Sequence, residues 1–129
     1  MSPPGPDPRR LRRWAVLGAA LWAAGLFALS SMPLGDGSLD FWWRFEHDDK
    51  VVHAGLYAVL GALVRVASGR VSVAVAAGGL IGIVDEWVVQ ARVPGRHPDP
   101  FDLLADVVGA ALGAWAVGAF ARRRGRTLE

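Results

Sequence analysis

The stretch that decides the fold runs from Val51 to Gln90 and reads VVHAGLYAVLGALVRVASGRVSVAVAAGGLIGIVDEWVVQ. It contains two apolar blocks, residues 51–67 and 71–84, joined by a short turn around Gly69. A helix needs about 20 mostly apolar residues to cross the roughly 30 Å hydrocarbon layer of a bilayer. The blocks lack the alternating pattern of strands in a membrane barrel. The stretch therefore predicts two membrane helices connected as a hairpin.

Two further apolar blocks flank this hairpin. Residues 14–32 carry no charge and are followed by Pro33, and residues 103–121 carry one acid, Asp106, near their start. The short block at 71–84 reaches spanning length only if its helix continues through Asp85, Glu86 and Gln90 towards Val93. Four such blocks predict an all-α integral membrane four-helix bundle.

The composition agrees with that architecture and excludes others. Hydrophobic residues make up 53% of the chain and charged residues only 20%, below the roughly 25% of a soluble domain. The absence of cysteine excludes disulfides, iron–sulfur clusters and thiolate zinc sites. We expect one domain at residues 14–121, with Arg-rich cytoplasmic tails at 1–13 and 122–129.

The basic residues predict the orientation. Ten of the fourteen lie before the first block, around the turn of the hairpin or after the fourth block: Arg9, Arg10, Arg12, Arg13, Arg65, Arg70, Arg122, Arg123, Arg124 and Arg126. Ten of the twelve acids lie on the other side. The positive-inside rule places the arginines in the cytoplasm. Both termini are then cytoplasmic, as an even number of crossings requires.

The Arg-rich start also allows two other interpretations. Arg9 to Arg13, an apolar run and Ala28-Leu29-Ser30 resemble a secretory signal with a cleavage site, but the run of about 19 residues exceeds the usual core of roughly 7–15. Cleavage would leave an odd number of spans. Arginine tracts beside membrane helices are more typical of anchors that meet anionic lipid than of nucleic-acid sites. We expect the lipid bilayer, and no nucleic acid, as partner.

Polar residues gather on the side opposite these arginines, at the outer membrane level. Ionisable groups near hydrocarbon cost a few kcal/mol each unless paired or hydrated, so they usually face a bundle interior or a water-filled cavity. Those beside the second, third and fourth helices are Asp48, Asp49, Lys50, His53, Asp85, Glu86, Gln90, Arg92, Arg96, Asp102 and Asp106. The cluster predicts a functional site.

Helical spacing places these groups on shared faces, because residues three or four apart are neighbours on a helix. The three stripes are Lys50, His53, Tyr57 and Gly61; Gly78, Gly82, Glu86 and Gln90 with Asp85 alongside; and Asp102, Asp106, Gly109 and Gly113. In each stripe the polar end continues as glycines, which let membrane helices approach closely. We expect the glycines to pack the helices and the polar ends to form a pocket.

Other residues receive simpler expectations. The first helix should only pack and anchor the bundle at the interface, through Trp14 and Trp22. The loop charges Asp36, Asp40, Arg44 and Glu46 should be solvated, and Phe41, Trp42 and Trp43 should form an interfacial aromatic patch. Asp102 suits the first turn of a helix. Asp85 and Glu86 require partners, for which Arg92, Arg96, Lys50 and His53 are the candidates.

The polar stripes carry a resemblance to a known family. Asp49-Lys50-Val51-Val52-His53, followed by Tyr57 and Gly61, resembles the first signature of the VanZ-like family of small bacterial membrane proteins. Asp85-Glu86-Trp87-Val88-Val89-Gln90, then Pro94-Gly95-Arg96, Asp102 and Gly109-xxx-Gly113, resembles the second. The order and spacing match across residues 49–113. The family usually has asparagine at the position of Asp106. An aspartate replaces an amide donor only when it is protonated, so Asp106 is either kept neutral by burial or paired with an arginine.

The resemblance implies a place in the bacterial cytoplasmic membrane and a role in the cell envelope. The family takes its name from a member in glycopeptide-resistance gene clusters that is linked to teicoplanin resistance. Teicoplanin carries a lipid tail and acts on a cell-wall precursor at the outer membrane face, the side on which the polar cluster is expected.

Three functions remain open at this stage. In the first, the cluster binds an amphiphilic or lipid-linked anionic ligand. Arg96 and Lys50 would hold the head group, Asp85, Glu86 and Asp102 would orient these cations, and His53 and Gln90 would supply adaptable hydrogen bonds. Tyr57 and Asp106 complete the predicted ligand-binding set.

In the second, the chain is an enzyme acting on such a lipid, with His53 and Asp85 or Glu86 as acid–base candidates. No nucleophile is evident. Water bound to a metal held by His53, Glu86 and Asp102 is conceivable, but those ligands match no zinc spacing, and we expect neither metal nor cofactor. In the third, the cluster only fixes the register of the helices. The sequence does not decide the oligomeric state.

Overall fold

The structure, a computed structural model, describes Met1, residues 4–32 and residues 48–125, with backbone only for residues 48 and 49. The described elements are all helical: α1 (Pro8–Ser30), α2 (Asp48–Ser68), α3 (Val71–Val84) and α4 (Pro100–Arg123). A π-helical turn (Asp85–Val89) and a 3₁₀-helical turn (Gln90–Arg92) extend α3. The expectations for Pro33, for Arg126, for the charges at 36, 40, 44 and 46 and for the aromatic residues 41–43 lie outside the described residues.

Four helical runs in the described part of the chain are long and apolar enough to cross a membrane. They are Pro8–Ser30, Lys50–Ser68, Val71–Arg92 and Pro100–Arg123. The all-helical fold and the four helices of spanning length expected from the sequence are confirmed. The third run reaches spanning length because the helix continues past Val84 through both turns. The sequence predicts this continuation through Asp85, Glu86 and Gln90.

Helices α1, α2 and α4 begin earlier than their apolar blocks, and local capping explains the starts of α1 and α4. The Asp7 carboxylate accepts a hydrogen bond from the Arg9 N–H at 2.9 Å, with Pro8 in the first turn. The Asp99 carboxylate does the same for the Phe101 N–H at 2.8 Å, with Pro100 next to it. Asp followed by proline is a strong helix start, since proline at the first position lacks only an N–H that would be unpaired anyway. The arginines at 9–13 are therefore part of α1.

Helices α2 and α4 pack most closely, and glycines on both make this possible. A Cβ at Gly61 would overlap the backbone of Ala110, one at Gly109 the backbone of Ala54, and one at Gly113 that of Ala58. On α3, a Cβ at Gly78 would lie 2.5 Å from the Ala110 Cβ, and one at Gly82 would lie 2.9 Å from Asp106 Oδ2. All five predicted packing glycines thus lie where another helix leaves no room for a side chain.

Helix α1 rests mainly against α2. Leu26, Tyr57 and Leu60 form a small buried cluster between them, and the Trp22 indole N–H donates to the Leu56 carbonyl at 2.8 Å. Many large apolar side chains point outwards instead, including Leu21, Leu80 and Leu112. An apolar exterior of this kind suits a helix bundle surrounded by hydrocarbon.

Candidate functional site

Polar side chains collect at one end of the bundle, which we call the polar end. Here α2 begins, the extension of α3 ends and α4 begins, and α1 reaches the same level at Ser30. The acids are deeply buried, with exposed fractions of 1% for Asp85, 0% for Glu86 and 0% for Asp106. Buried carboxylates inside membrane-spanning helices are costly, and they usually mark function.

The π-helical turn arranges the end of α3. The Gln90 backbone N–H donates to the Asp85 carbonyl, a five-residue spacing that brings side chains 85 and 90 to the same side. The Gln90 amide nitrogen then donates to Glu86 Oε1 at 2.7 Å and to Asp85 Oδ2 at 3.1 Å. Its carbonyl oxygen accepts from Arg96 Nη1 at 3.3 Å. Gln90 thereby links both acids to the following loop.

Helix α1 contributes a hydrogen bond to this site. Ser30 is buried, and its hydroxyl donates to Asp85 Oδ2 at 2.8 Å. The expectation that α1 only packs and anchors was therefore wrong. The reason is that Ser30 lies at the end of α1, level with the acids of α3, and serine gives too weak a polar signal in an apolar run to be noticed from the sequence.

Lys50 forms two ion pairs, with Asp99 at the cap of α4 and with Asp102 in its first turn. Its Nζ lies 3.1 Å from Asp99 Oδ2 and 2.9 Å from Asp102 Oδ1. The Asp99 N–H also donates to Glu86 Oε2 at 3.1 Å. The Phe101 N–H and the Lys50 ammonium hold the pKa of Asp99 below its usual range. Two carboxylates therefore lie beside the Lys50 ammonium, and its role in holding an anionic head group stays a prediction.

His53 forms an ion pair with Asp106 of α4 when its ring is protonated. Its Nδ1 lies 2.8 Å from Asp106 Oδ1, and the ring nitrogen is the donor when the carboxylate is ionised. The imidazole lies parallel to the Tyr57 ring, one turn away, with centroids 6.5 Å apart. The expected pairing of His53 with Asp85 or Glu86 is thus replaced by Asp106. Asp106 in turn pairs with a histidine and not with an arginine.

Asp85 and Glu86 also differ from expectation in their partners. Neither forms an ion pair with lysine or arginine in the described residues. Ser30, Gln90 and the Asp99 N–H satisfy them instead. Uncharged donors replaced the predicted cations because Lys50 is drawn to α4 and Arg96 reaches only the far side of Gln90.

Several buried polar atoms at the polar end have no hydrogen-bond partner among the described residues. They are Tyr57 Oη, Asp85 Oδ1, Arg96 Nε and Asp106 Oδ2. Leaving a buried polar group unsatisfied costs roughly 1–3 kcal/mol, so native proteins rarely tolerate several together. The remaining such atom in the described part, Arg65 Nε, lies near the opposite end, where Arg65 also donates to the Gly69 carbonyl.

All nine residues of the predicted ligand-binding set belong to this one network: Lys50, His53, Tyr57, Asp85, Glu86, Gln90, Arg96, Asp102 and Asp106. The side chains of Asp48 and Asp49 lie outside the described atoms. Arg92 is exposed. Sequence reasoning missed Ser30 and Asp99. The Asp99-Pro100 pair carried a readable signal, because it is a helix-start pattern that places Asp99 beside Lys50.

One subset has the composition of a metal site. His53, Glu86 and Asp106 each offer a ligand atom, and these atoms lie within 4.8 Å of one another. The set differs from the one considered on sequence grounds, since Asp102 is bound to Lys50 and Asp106 takes its place.

An apolar groove runs along α1 towards the polar end. Its volume is about 530 Å³, within the range of small-molecule sites. It extends from Gly18 past Trp22, Gly25 and Leu26 to Met32, with Leu56 of α2 in its wall. Met32 lies two residues beyond Ser30, so the groove reaches the same level along α1 as the polar network.

No family model, curated protein or solved structure matches the chain. The VanZ-like resemblance therefore remains a prediction that rests on the motifs at residues 49–113.

Proposed function

We propose that the chain is a VanZ-like protein of the bacterial cytoplasmic membrane whose polar end binds the head group of an amphiphilic, lipid-linked ligand of the cell envelope. The observation that carries the proposal is the gathering of unpartnered, buried polar atoms at one end of an otherwise apolar bundle. A ligand that forms hydrogen bonds with these atoms would remove most of the free-energy cost of burying them unsatisfied.

The unpartnered atoms indicate which chemical groups the head group of the ligand must contain. Arg96 Nε is a charged donor that suits a phosphate or carboxylate, and Gln90 already holds another nitrogen of the same guanidinium. Asp85 Oδ1 is an acceptor that suits a hydroxyl or amine. The ligand head therefore combines an acidic group with hydroxyl or amino donors. Phospholipids and lipid-linked cell-wall precursors have this combination.

The groove along α1 supports the amphiphilic part. Its walls are apolar, and at Met32 it reaches the level of Ser30, whose hydroxyl binds Asp85. A chain lying in the groove would place its head group at the network without leaving the hydrocarbon layer.

The orientation belongs to the same proposal. The arginines at 9–13, 65, 70 and 122–126 favour cytoplasmic termini. The polar end then faces outwards, where lipid-linked wall precursors and lipoglycopeptides such as teicoplanin act. A contribution to glycopeptide resistance is consistent with that location.

Photolabelling of the purified chain in nanodiscs tests the proposal. The probe is phosphatidylethanolamine with a diazirine in one acyl chain, and phosphatidylcholine with the same tail lacks its N–H donors. We expect stronger labelling by the first probe. Arg96→Gln should reduce that labelling about tenfold, since a charge-assisted hydrogen bond contributes roughly 1.5–3 kcal/mol. Arg92→Gln, an exposed arginine of the same region, should leave it unchanged.

The groove has its own matched pair. Gly25 lines the groove and Gly55 does not, and an added Cβ meets nothing within 4 Å at either position. Gly25→Leu should block labelling and Gly55→Leu should not. Equal labelling of all variants by both probes would overturn the proposal and favour a purely structural network.

A second candidate is an enzyme acting on the same head group. The His53–Asp106 pair supports it, because a carboxylate that fixes an imidazole is the usual arrangement of a general base. His53→Gln would then retain photolabelling and lose any turnover of the lipid, measured by mass spectrometry of the recovered probe. Recovery of unchanged probe from the wild-type chain would count against catalysis on that lipid.

A further inference from the structure

The charge at the polar end does not balance. Asp85, Glu86 and Asp106 are buried, and no lysine or arginine pairs with them in the described part of the chain. Lys50 is committed to Asp99 and Asp102. His53 offers one positive charge at most, when it is protonated. Desolvating a charged group costs several kcal/mol without a close partner, so a cation bound among these carboxylates would stabilise their ionised forms.

The network also contains the donor atoms for a cation. His53, Glu86 and Asp106 come from α2, the extension of α3 and α4, so the site depends on three helices meeting. The His53 Nδ1 and Asp106 Oδ1 atoms lie 2.8 Å apart. Ligand atoms bound to one ion at about 2.0–2.2 Å lie about 3–3.5 Å apart in adjacent positions. The full set lies within 4.8 Å, so small side-chain rotations close the remaining gap.

Independent features point to a ligand at this place. Asp106 is fully buried and its Oδ2 has no partner among the described residues, although carboxylate oxygens in such surroundings are normally satisfied. Gly82 leaves room for that oxygen, because a Cβ there would lie 2.9 Å from it. Tyr57, whose ring is stacked on His53, also has a buried hydroxyl that finds no partner in the part of the chain that the structure describes.

The surrounding bonds fix the orientation of Glu86. Gln90 donates to its Oε1 and the Asp99 N–H to its Oε2. Each carboxylate oxygen keeps a second lone pair. Outer contacts of this kind hold metal ligands in place in known sites.

We propose that His53, Glu86 and Asp106 bind a divalent first-row cation, Zn²⁺ or Mn²⁺. One imidazole and two carboxylates without sulfur suit these ions better than Mg²⁺ or Ca²⁺, which prefer oxygen alone. Three protein ligands leave coordination positions open to water or to an oxygen of a ligand. The inference goes beyond the lipid-binding proposal and does not depend on it.

The test uses the full chain in detergent, stripped with EDTA and titrated with ZnCl₂ or MnCl₂ by calorimetry, with no added lipid. We expect one ion per chain, and weaker binding of MgCl₂ and CaCl₂. Asp106→Asn keeps the shape of the side chain but removes a metal ligand. Loss of a residue that only supports a ligand weakens metal binding about 10–100-fold, so Asp106→Asn should weaken Zn²⁺ binding by at least that much. Asp7→Asn makes the same change in an exposed acid at the opposite end of the bundle, and this variant should bind Zn²⁺ as the wild type does.

A spectroscopic signature covers the case in which a variant does not fold. Mn²⁺ bound to the wild-type chain should show a nitrogen coupling from the imidazole in pulsed electron paramagnetic resonance. His53→Gln should abolish that coupling. No Zn²⁺ or Mn²⁺ binding by the folded wild type, or equal affinity in the Asp106→Asn and Asp7→Asn variants, would overturn the inference. Photolabelling in the presence of EDTA separates the two proposals. Labelling that persists without metal would leave the lipid proposal standing when the metal inference fails.

Discussion

Asp99 shows how much a single residue organises at the polar end. One carboxylate oxygen caps α4 through the Phe101 N–H, the other binds Lys50, and its backbone N–H holds Glu86. Three helical segments therefore meet at one residue that lies before the apolar block of α4. Its contribution to stability separates into a capping part and an ionic part, which two substitutions distinguish.

Asp99→Ala should destabilise the fold by about 1 kcal/mol through loss of the cap, with a further roughly 0–1 kcal/mol from the partly exposed ion pair. Asp99→Asn should keep the cap and lose only the ionic part, since asparagine caps helices as well as aspartate. Thermal unfolding in detergent at pH 7 measures both. Equal loss in the two variants would show that the cap contributes nothing.

The pH dependence of Asp99 follows from its lowered pKa. The folded chain holds the carboxylate ionised to lower pH than the unfolded chain does, where its pKa is about 3.9. Its ionic contribution is therefore present above that value and is lost as the pH falls through the lowered folded pKa. The stability difference between wild type and Asp99→Asn should be constant near neutrality and vanish in acid. A difference that persists unchanged down to pH 2 would contradict it.

At this scale the sequence predicted which residues gather but not how they pair. His53, Glu86 and Asp106 could be nominated because a charged residue stands out in an apolar run. Their partners depend on the rotation of each helix about its axis. Spacing along one helix does not fix that rotation relative to another helix. The π-helical turn adds a further change of direction at Asp85, which has no reliable sequence signature.

At the scale of elements, the contact between α2 and α4 sets the distance between His53 and Asp106. Gly109 lies against Ala54, beside His53, and Gly113 lies against Ala58 one turn deeper. These glycines keep the two backbones close enough for the side chains above them to meet. The glycine spacing was visible in the sequence, whereas the partner alanines were not.

Gly113→Ala should destabilise the bundle by about 1–3 kcal/mol, the usual cost of overpacking, because the added Cβ would overlap the Ala58 backbone. Gly55→Ala is the matched control on α2. Its Cβ would meet nothing within 4 Å, so it should be neutral or gain up to about 1 kcal/mol of helix propensity. Denaturant unfolding in detergent micelles compares the two variants. Similar stability of both would mean that α2 and α4 are farther apart than the structure places them.

At the scale of the whole molecule, the clustered arginines and the polar network lie at opposite ends of the bundle. The arginines of α1, of the α2–α3 turn and of α4 lie at one end, and the buried acids lie at the other. A chain with this asymmetry has a defined orientation if the positive-inside rule holds. The sequence alone supports that step, because it needs only the order of helices and charges and no side-chain geometry.

The absence of cysteine makes the orientation directly measurable. Ser31 lies at the polar end and Ser72 at the start of α3, at the opposite end, and both are exposed. Serine and cysteine have nearly the same shape, so Ser31→Cys and Ser72→Cys form a matched pair. In intact spheroplasts, a membrane-impermeant maleimide should label Ser31→Cys and leave Ser72→Cys unlabelled until the membrane is permeabilised. Gly5→Cys, in the segment before α1, should behave like Ser72→Cys.

The reverse pattern would place the polar end in the cytoplasm and remove any access to an outer-face ligand. Labelling of both serine positions in intact spheroplasts would mean that the hairpin of α2 and α3 does not span the membrane.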